Sequence, residues 1–126
     1  MTLTLTETVA GIPLGEMIPH YIECAFWAST GDDGEPATWE YDDLADEAMT
    51  LIEADLLTFA RRAWRIAETA GWSPGSFAHD YFLTRNHHGA GFCDRGRLEG
   101  EYLRRIADGM GEMDLYVGDD GKVYVS

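Results

Sequence analysis

Between residues 44 and 70, apolar side chains recur at steps of three and four: Ala45, Ala48, Met49, Ile52, Leu56, Phe59, Ala63, Ile66 and Ala67. This is the period of an amphipathic helix, and at 1.5 Å per residue it spans about 40 Å. So long an apolar stripe needs a covering layer of matching length, which most constrains what a chain of 126 residues can become. Gly71 is placed to stop the helix. The length suits one domain over 1–126, and four Trp, six Tyr and five Phe are available for its core.

Shorter elements follow from the same reasoning. Ile18, Tyr21, Ile22, Ala25 and Phe26 recur at helical spacing over 19–29, with Pro19 tolerable in the first turn. Residues 29–41 carry Gly31, Gly34 and Pro36 and read as a loop. The runs 80–85 and 91–94 flank Asn86, His87, His88 and Gly89, which suit a turn, so the pair reads as a β-hairpin. Over 97–108, Leu98, Tyr102 and Ile106 stand four residues apart and Glu101 precedes Arg105 by four, an amphipathic helix ended near Gly109. Met113, Leu115 and Val117 alternate with Asp114 and Tyr116 up to an Asp119-Asp120-Gly121 turn, and 123–125 completes a second hairpin. Together these predict an α+β domain: an antiparallel sheet of about four strands, made of two hairpins, packed against one long and two shorter helices. Trp27 and Trp64 fall at core positions of their helices, and Trp72 at the end of the long one.

The charge is as uneven as the structure. Formal net charge is −14, beyond the magnitude of about 2–8 that serves solubility in a small domain. Residues 1–60 hold thirteen Asp and Glu and no Lys or Arg, whereas 61–126 hold ten acids and nine bases. An acidic surface repels phosphate backbones and anionic membranes, so direct binding to either is disfavoured and a basic partner is favoured. Asp42 or Asp43 suits the N-cap of the long helix, and Asp46 and Glu47 suit its first turn, where the helix dipole favours negative charge. Asp32, Asp33, Glu35 and Glu40, like Glu53 and Asp55 further on, have no such structural need. Trp39 and Tyr41 alternate with Glu40 and Asp42, offering aromatic anchors among the carboxylates. The candidate partner-binding set is therefore Asp32, Asp33, Glu35, Trp39, Glu40, Tyr41, Asp42, Asp43, Asp46 and Glu47. Asp43 and Glu47, one helical turn or about 6 Å apart, would also approximate the spacing of successive phosphates.

Chemistry other than binding would centre on residues 79–96, where three of the four histidines gather with a cysteine. His79, His88 and Cys93 supply nitrogen and sulfur ligand types for a metal, but without HExxH, CxxC or HxH spacing. Cys93 could act as a nucleophile if a histidine across the hairpin lowered its pKa. The simpler reading makes Cys93 a small strand residue and the histidines an exposed turn, so no cofactor or metal is expected. The sequence HGAGF lacks the third glycine of a dinucleotide fingerprint, and neither GDDG turn supplies the oxygen spacing of a calcium loop. Cys24 and Cys93 form no redox motif, the amino terminus lacks the pattern of a signal peptide, and no apolar run reaches membrane-spanning length, so a cytoplasmic location is expected.

The segments AFWASTGDDGEP, HDYFLTRNHHGAGFCDRG and DLYVGDDGKVYVS resemble a widespread family of small, functionally unassigned bacteriophage accessory proteins. The similarity covers about half the chain. In that family's pattern the position of Cys93 is more usually Trp and that of His87 more usually Gly, so the resemblance implies no thiol or histidine chemistry. It implies a phage or prophage origin and work in the host cell: binding and disabling a defence complex such as a restriction or CRISPR effector. With the acidic front half, the expectation is an inhibitor of a host protein with a basic, nucleic-acid-binding surface, acting by nucleic-acid mimicry. A homodimer is compatible with that role. The alternative is a small enzyme or metal-binding protein using residues 79–94.

Overall fold

A computed structural model describes residues 8–29, 38–89 and 91–126, with the side chains of 94 and 95 excepted. Its framework is helical: α1 (Leu14–Ala28), α2 (Asp46–Thr69), α3 (Pro74–Arg85) and α4 (Leu98–Met110), with 3-10 turns at Tyr41–Asp43 and Phe92–Arg95. Among the described residues, the one sheet is a two-stranded antiparallel hairpin of β1 (Leu115–Val117) and β2 (Val123–Val125).

The long helix forms as its stripe requires. Ala48, Ile52, Leu56, Phe59, Ala60, Ala63, Trp64 and Ala67 are all buried along one face of α2. Gly71, at φ +93°, then closes it: the Gly71 N–H donates to the Glu68 carbonyl and the Trp72 N–H to the Ala67 carbonyl. That pair of bonds satisfies carbonyls the helix end would otherwise leave without donors. α1 begins at Leu14, so Pro19 lies inside it and not in its first turn.

The four-stranded sheet does not form. Residues 80–85, expected as a strand, belong to α3, and 91–94, expected as its partner, fall largely in the 3-10 turn Phe92–Arg95. Ser73 caps α3 by accepting the Ser76 N–H at 3.1 Å, and Pro74 occupies the first helical position. Phe77, Ala78, Tyr81, Phe82 and Arg85 then fall at helical spacing and are all buried. A short, nearly continuous apolar run suits a buried strand or a buried helix equally, and the Ser-Pro start decides for the helix. The fold is thus mostly helical, not an α+β sheet packed on helices.

Packing centres on Phe59 of α2, whose ring stacks on Tyr81 at 3.7 Å between centroids and lies 5.0 Å from Phe77. Burying each such large apolar side chain contributes about 1.5–3 kcal/mol. Phe92 joins this cluster, drawn in where its backbone N–H donates to Thr84 Oγ1 at 3.1 Å. On α4 the buried face is Gly100, Leu103 and Ala107, whereas the expected apolar stripe is turned outward at Leu98 (99% exposed) and Tyr102 (59%). Trp27, expected in the core, is 76% exposed.

The C-terminal hairpin matches its sequence signal. Leu115 pairs with Val125 and Val117 with Val123, and the Gly121 N–H donates to the Gly118 carbonyl across the turn. Its outer edge meets the chain just before α2: Leu44 bridges Val123 in parallel, and the Ala45 N–H donates to the Val123 carbonyl at 2.9 Å. This contact brings the C-terminal strand beside the acidic segment.

Candidate functional site

The described part of the acidic segment runs from residue 38 into the first turn of α2. Asp32, Asp33 and Glu35 lie outside the described residues. Tyr41–Asp43 form the 3-10 turn, closed by the Glu40 N–H donating to Asp43 Oδ2 at 2.8 Å. Asp43 therefore caps this turn and not the long helix, whose N-cap position is Ala45, without a side-chain cap. Since Asp43 is not on α2, the helical rise does not set its distance from Glu47, and the phosphate-like spacing has no basis. Asp46 and Glu47 do occupy the first turn of α2, where the dipole favours them.

Asp42, Asp46 and Glu47 are exposed and make no ion pair with a described residue. With Tyr41, Lys122 and Tyr124 they line a groove of about 420 Å³ between the 3-10 turn, α2 and β2. Tyr41 is 46% exposed. Partial burial, then the charges of Glu53 and Glu23, push its hydroxyl pKa up, so the negative field extends onto α1 and the next turn of α2. Tyr124 donates to Asp120 Oδ2 at 2.7 Å and stacks against Tyr116, which holds its ring at the rim. Trp39 is not a free anchor: it is half-buried, with its ring edge-on to Phe26 at 6.0 Å.

Lys122 and Tyr124 were not legible as part of this site. They arrive through the Ala45–Val123 bond, a contact between segments far apart in the sequence. Asp55, counted with the acidic surface, has a different task. Arg85 grips its carboxylate with both terminal nitrogens, Nη1 to Oδ2 and Nη2 to Oδ1. Tyr81 donates to the same Oδ2 at 2.9 Å. Arg85 also donates to Tyr21 Oη and, through Nε at 2.8 Å, to the Gly111 carbonyl. Burial, then the neighbouring Asp55 charge, pushes the Tyr81 hydroxyl far above its usual range, and burial does the same to Tyr21. This network ties α1, α2, α3 and the segment after α4 together.

The alternative chemical residues are dispersed. His79 Nδ1 lies 3.1 Å from Asp80 Oδ1, on a cleft shared with His20 and Trp27. His88 lies parallel to the Phe82 ring and offset from it, with centroids 5.8 Å apart, and its Nε2 is 3.5 Å from Asp114 Oδ1. Cys93 is exposed and its thiol donates to Glu101 Oε2 at 3.6 Å; Arg104 holds that carboxylate down to about 2. His87 shares a cleft with Cys93, yet its Nε2 lies 3.7 Å from Glu112. The predicted hairpin is what would have joined these groups, and α3 separates them instead. Among the described residues, no group of three or more His, Cys, Asp or Glu is placed to hold a metal ion, and no helix is long and apolar enough to cross a membrane.

No family model, no curated protein and no solved structure matches this chain.

Proposed function

We propose that the protein is a non-catalytic binding protein whose acidic groove docks on the basic, nucleic-acid-binding surface of a host defence protein such as a CRISPR effector. The observation that carries this reading is the trio Asp42, Asp46 and Glu47: exposed, in no ion pair with a described residue, outnumbering the one lysine, Lys122, on the described wall, and set around a groove that also presents Tyr41. Carboxylates left unneutralised in one place attract a basic partner at long range and raise its encounter rate. Tyr41 supplies the kind of partly buried aromatic that anchors protein interfaces. The reading rests on charge and exposure, not on phosphate-like spacing, and the phage origin rests on the sequence resemblance alone. An acidic surface of this kind competes with nucleic acid for its partner whether or not it copies nucleic-acid geometry.

The test uses the triple charge reversal Asp42→Lys, Asp46→Lys, Glu47→Lys against a purified CRISPR effector, with and without guide RNA. The native protein is expected to bind the guide-free effector, to lose affinity as salt rises, and to be displaced by DNA. The reversed protein should bind at least about tenfold more weakly, since charge pairs at an interface contribute about 1.5 kcal/mol or more each where they are close. No binding by the native protein, or binding indifferent to charge reversal, would refute the proposal.

A further inference from the structure

At the far end of α2 from the acidic groove, a second cleft of about 240 Å³ lies between the helix and the turn that precedes α1. The turn is tight: Val9 and Ile12 exchange both backbone hydrogen bonds at 2.9 Å, with Ala10 and Gly11 at φ +52° and +80°. Positive φ at both central residues is the backbone of a type I′ turn. The facing wall is Ala60, Arg61, Trp64, Arg65 and Glu68.

Two independent observations mark this cleft. Trp64 is 95% buried, and its Nε1 is the one buried side-chain nitrogen or oxygen among the described residues that lacks a hydrogen-bond partner. An indole N–H can only donate, and a buried donor without an acceptor is costly, so its position calls for an acceptor. Arg61 and Arg65 are exposed, one helical turn apart, and paired with no carboxylate among the described residues. Arg85, Arg97, Arg104 and Arg105, in contrast, each hold one. In a chain of net charge −14, cations left unpaired beside a donor that lacks an acceptor are a local exception to the prevailing field.

We propose that this cleft binds a small monocarboxylic acid. The Trp64 Nε1–H and the guanidinium groups of Arg61 and Arg65 take the carboxylate, and Ile12 and Ala60 take its hydrocarbon part. Glu68 decides the class of anion: a carboxylate on the wall opposes a phosphate dianion more than a monoanion, while two arginines still leave an excess of positive charge. Planar guanidinium groups also match a carboxylate in a forked geometry.

The experiment is a titration of the full chain, labelled with nitrogen-15, with sodium butyrate. Sodium chloride and inorganic phosphate at equal ionic strength serve as comparisons. The four tryptophans give four indole N–H signals, and Trp64→Phe identifies the one to follow. Butyrate is expected to shift the Trp64 signal saturably while those of Trp27, Trp39 and Trp72 stay in place. The exposed pair Arg61→Gln, Arg65→Gln should weaken that response by about tenfold or more, the loss expected for a charge-assisted hydrogen bond. An equal shift with chloride, a response unchanged in the double variant, or no saturable shift overturns the proposal, and tighter binding of phosphate than of butyrate overturns its carboxylate assignment. The acidic groove is untouched by these variants, so the outcome is separate from that of partner binding.

Discussion

Replacing Asp55 by Ala should be among the most damaging single changes available to this fold. The Arg85 side chain is 2% exposed and that of Asp55 is 17% exposed. Removing the carboxylate leaves a buried guanidinium that cannot lose its proton, with the Tyr21 hydroxyl and the carbonyls of Met110 and Gly111 as its remaining acceptors among the described residues. Tyr81 loses its acceptor as well. Breaking a buried ion pair from one side costs about 3–5 kcal/mol, and the partial exposure of Asp55 places this case near the lower figure. Against a total stability of about 5–15 kcal/mol, such a loss moves a urea midpoint by roughly 1–3 M for slopes of about 1–3 kcal/mol/M. The pair Asp55→Leu, Arg85→Met removes both charges and should be far milder than the sum of its single changes, because no uncompensated ion remains. Urea unfolding of the native protein, Asp55→Ala, Asp55→Leu, Arg85→Met and the double variant, followed by circular dichroism, measures this. If Asp55→Ala cost less than about 1 kcal/mol, or the double change were additive, the network would not be the joint described here.

Two further outcomes follow from packing and burial. A Cβ on Gly100 would lie 2.4 Å from the Phe92 carbonyl oxygen, a backbone atom, so Gly100→Ala should destabilise by about 1–3 kcal/mol. Gly109 on the same helix faces open space, and Gly109→Ala should stabilise by about 0.5–1 kcal/mol; urea midpoints of the two variants moving in the same direction would refute the assignment of faces. Burial, aided by Asp80 and Glu23, pushes the Cys24 thiol pKa up to about 12 from its ordinary 9.0, whereas Cys93 is exposed. A disulfide reagent at pH 8 should therefore titrate one thiol in the native protein and two in denaturant. The folded state holds the Cys24 proton more tightly than the unfolded state does, so this contribution is complete below pH 9 and is lost as pH rises towards 12. A second fast-reacting thiol in the native protein would contradict the burial of Cys24.

Local signals in the sequence reached some elements and missed others for identifiable reasons. The stripe of α2 and its stop at Gly71 are local, and so is the Asp119-Asp120-Gly121 hairpin, so both were legible. The second half of α3 reads as a strand because four successive residues, Asp80, Tyr81, Phe82 and Leu83, are all buried, so within 80–85 no exposed face marks the helical period. Ser73-Pro74 was the signal that could have corrected it. On α4 the four-residue spacing was real, but Leu98 and Tyr102 fell on the outer face, because Gly100 lets the helix approach Phe92 on the other. Of the candidate binding residues, Tyr41, Asp42, Asp46 and Glu47 come together on one groove. Lys122 and Tyr124 join them through a strand bridge that no local pattern encodes.

The distribution of charge along α2 bears on how the proposed interface must be tested. Asp46 and Glu47 begin the helix, and Arg61 and Arg65 stand about 20–30 Å further along its axis. Negative charge at the first turn is stabilised by the helix dipole by about 0.3–1 kcal/mol per residue. The fold therefore favours Asp46 and Glu47 for a reason of its own as well, so the stability their reversal costs has to be separated from its effect on binding. Asp42 is different: it precedes the helix, and no hydrogen bond or ion pair with a described residue involves its side chain. Reversal of Asp46 and Glu47 should lower both stability and binding, whereas Asp42→Lys should lower binding and leave the urea midpoint in place. A partner interaction that followed only the loss of stability, and ignored Asp42→Lys, would place the contact elsewhere on the molecule.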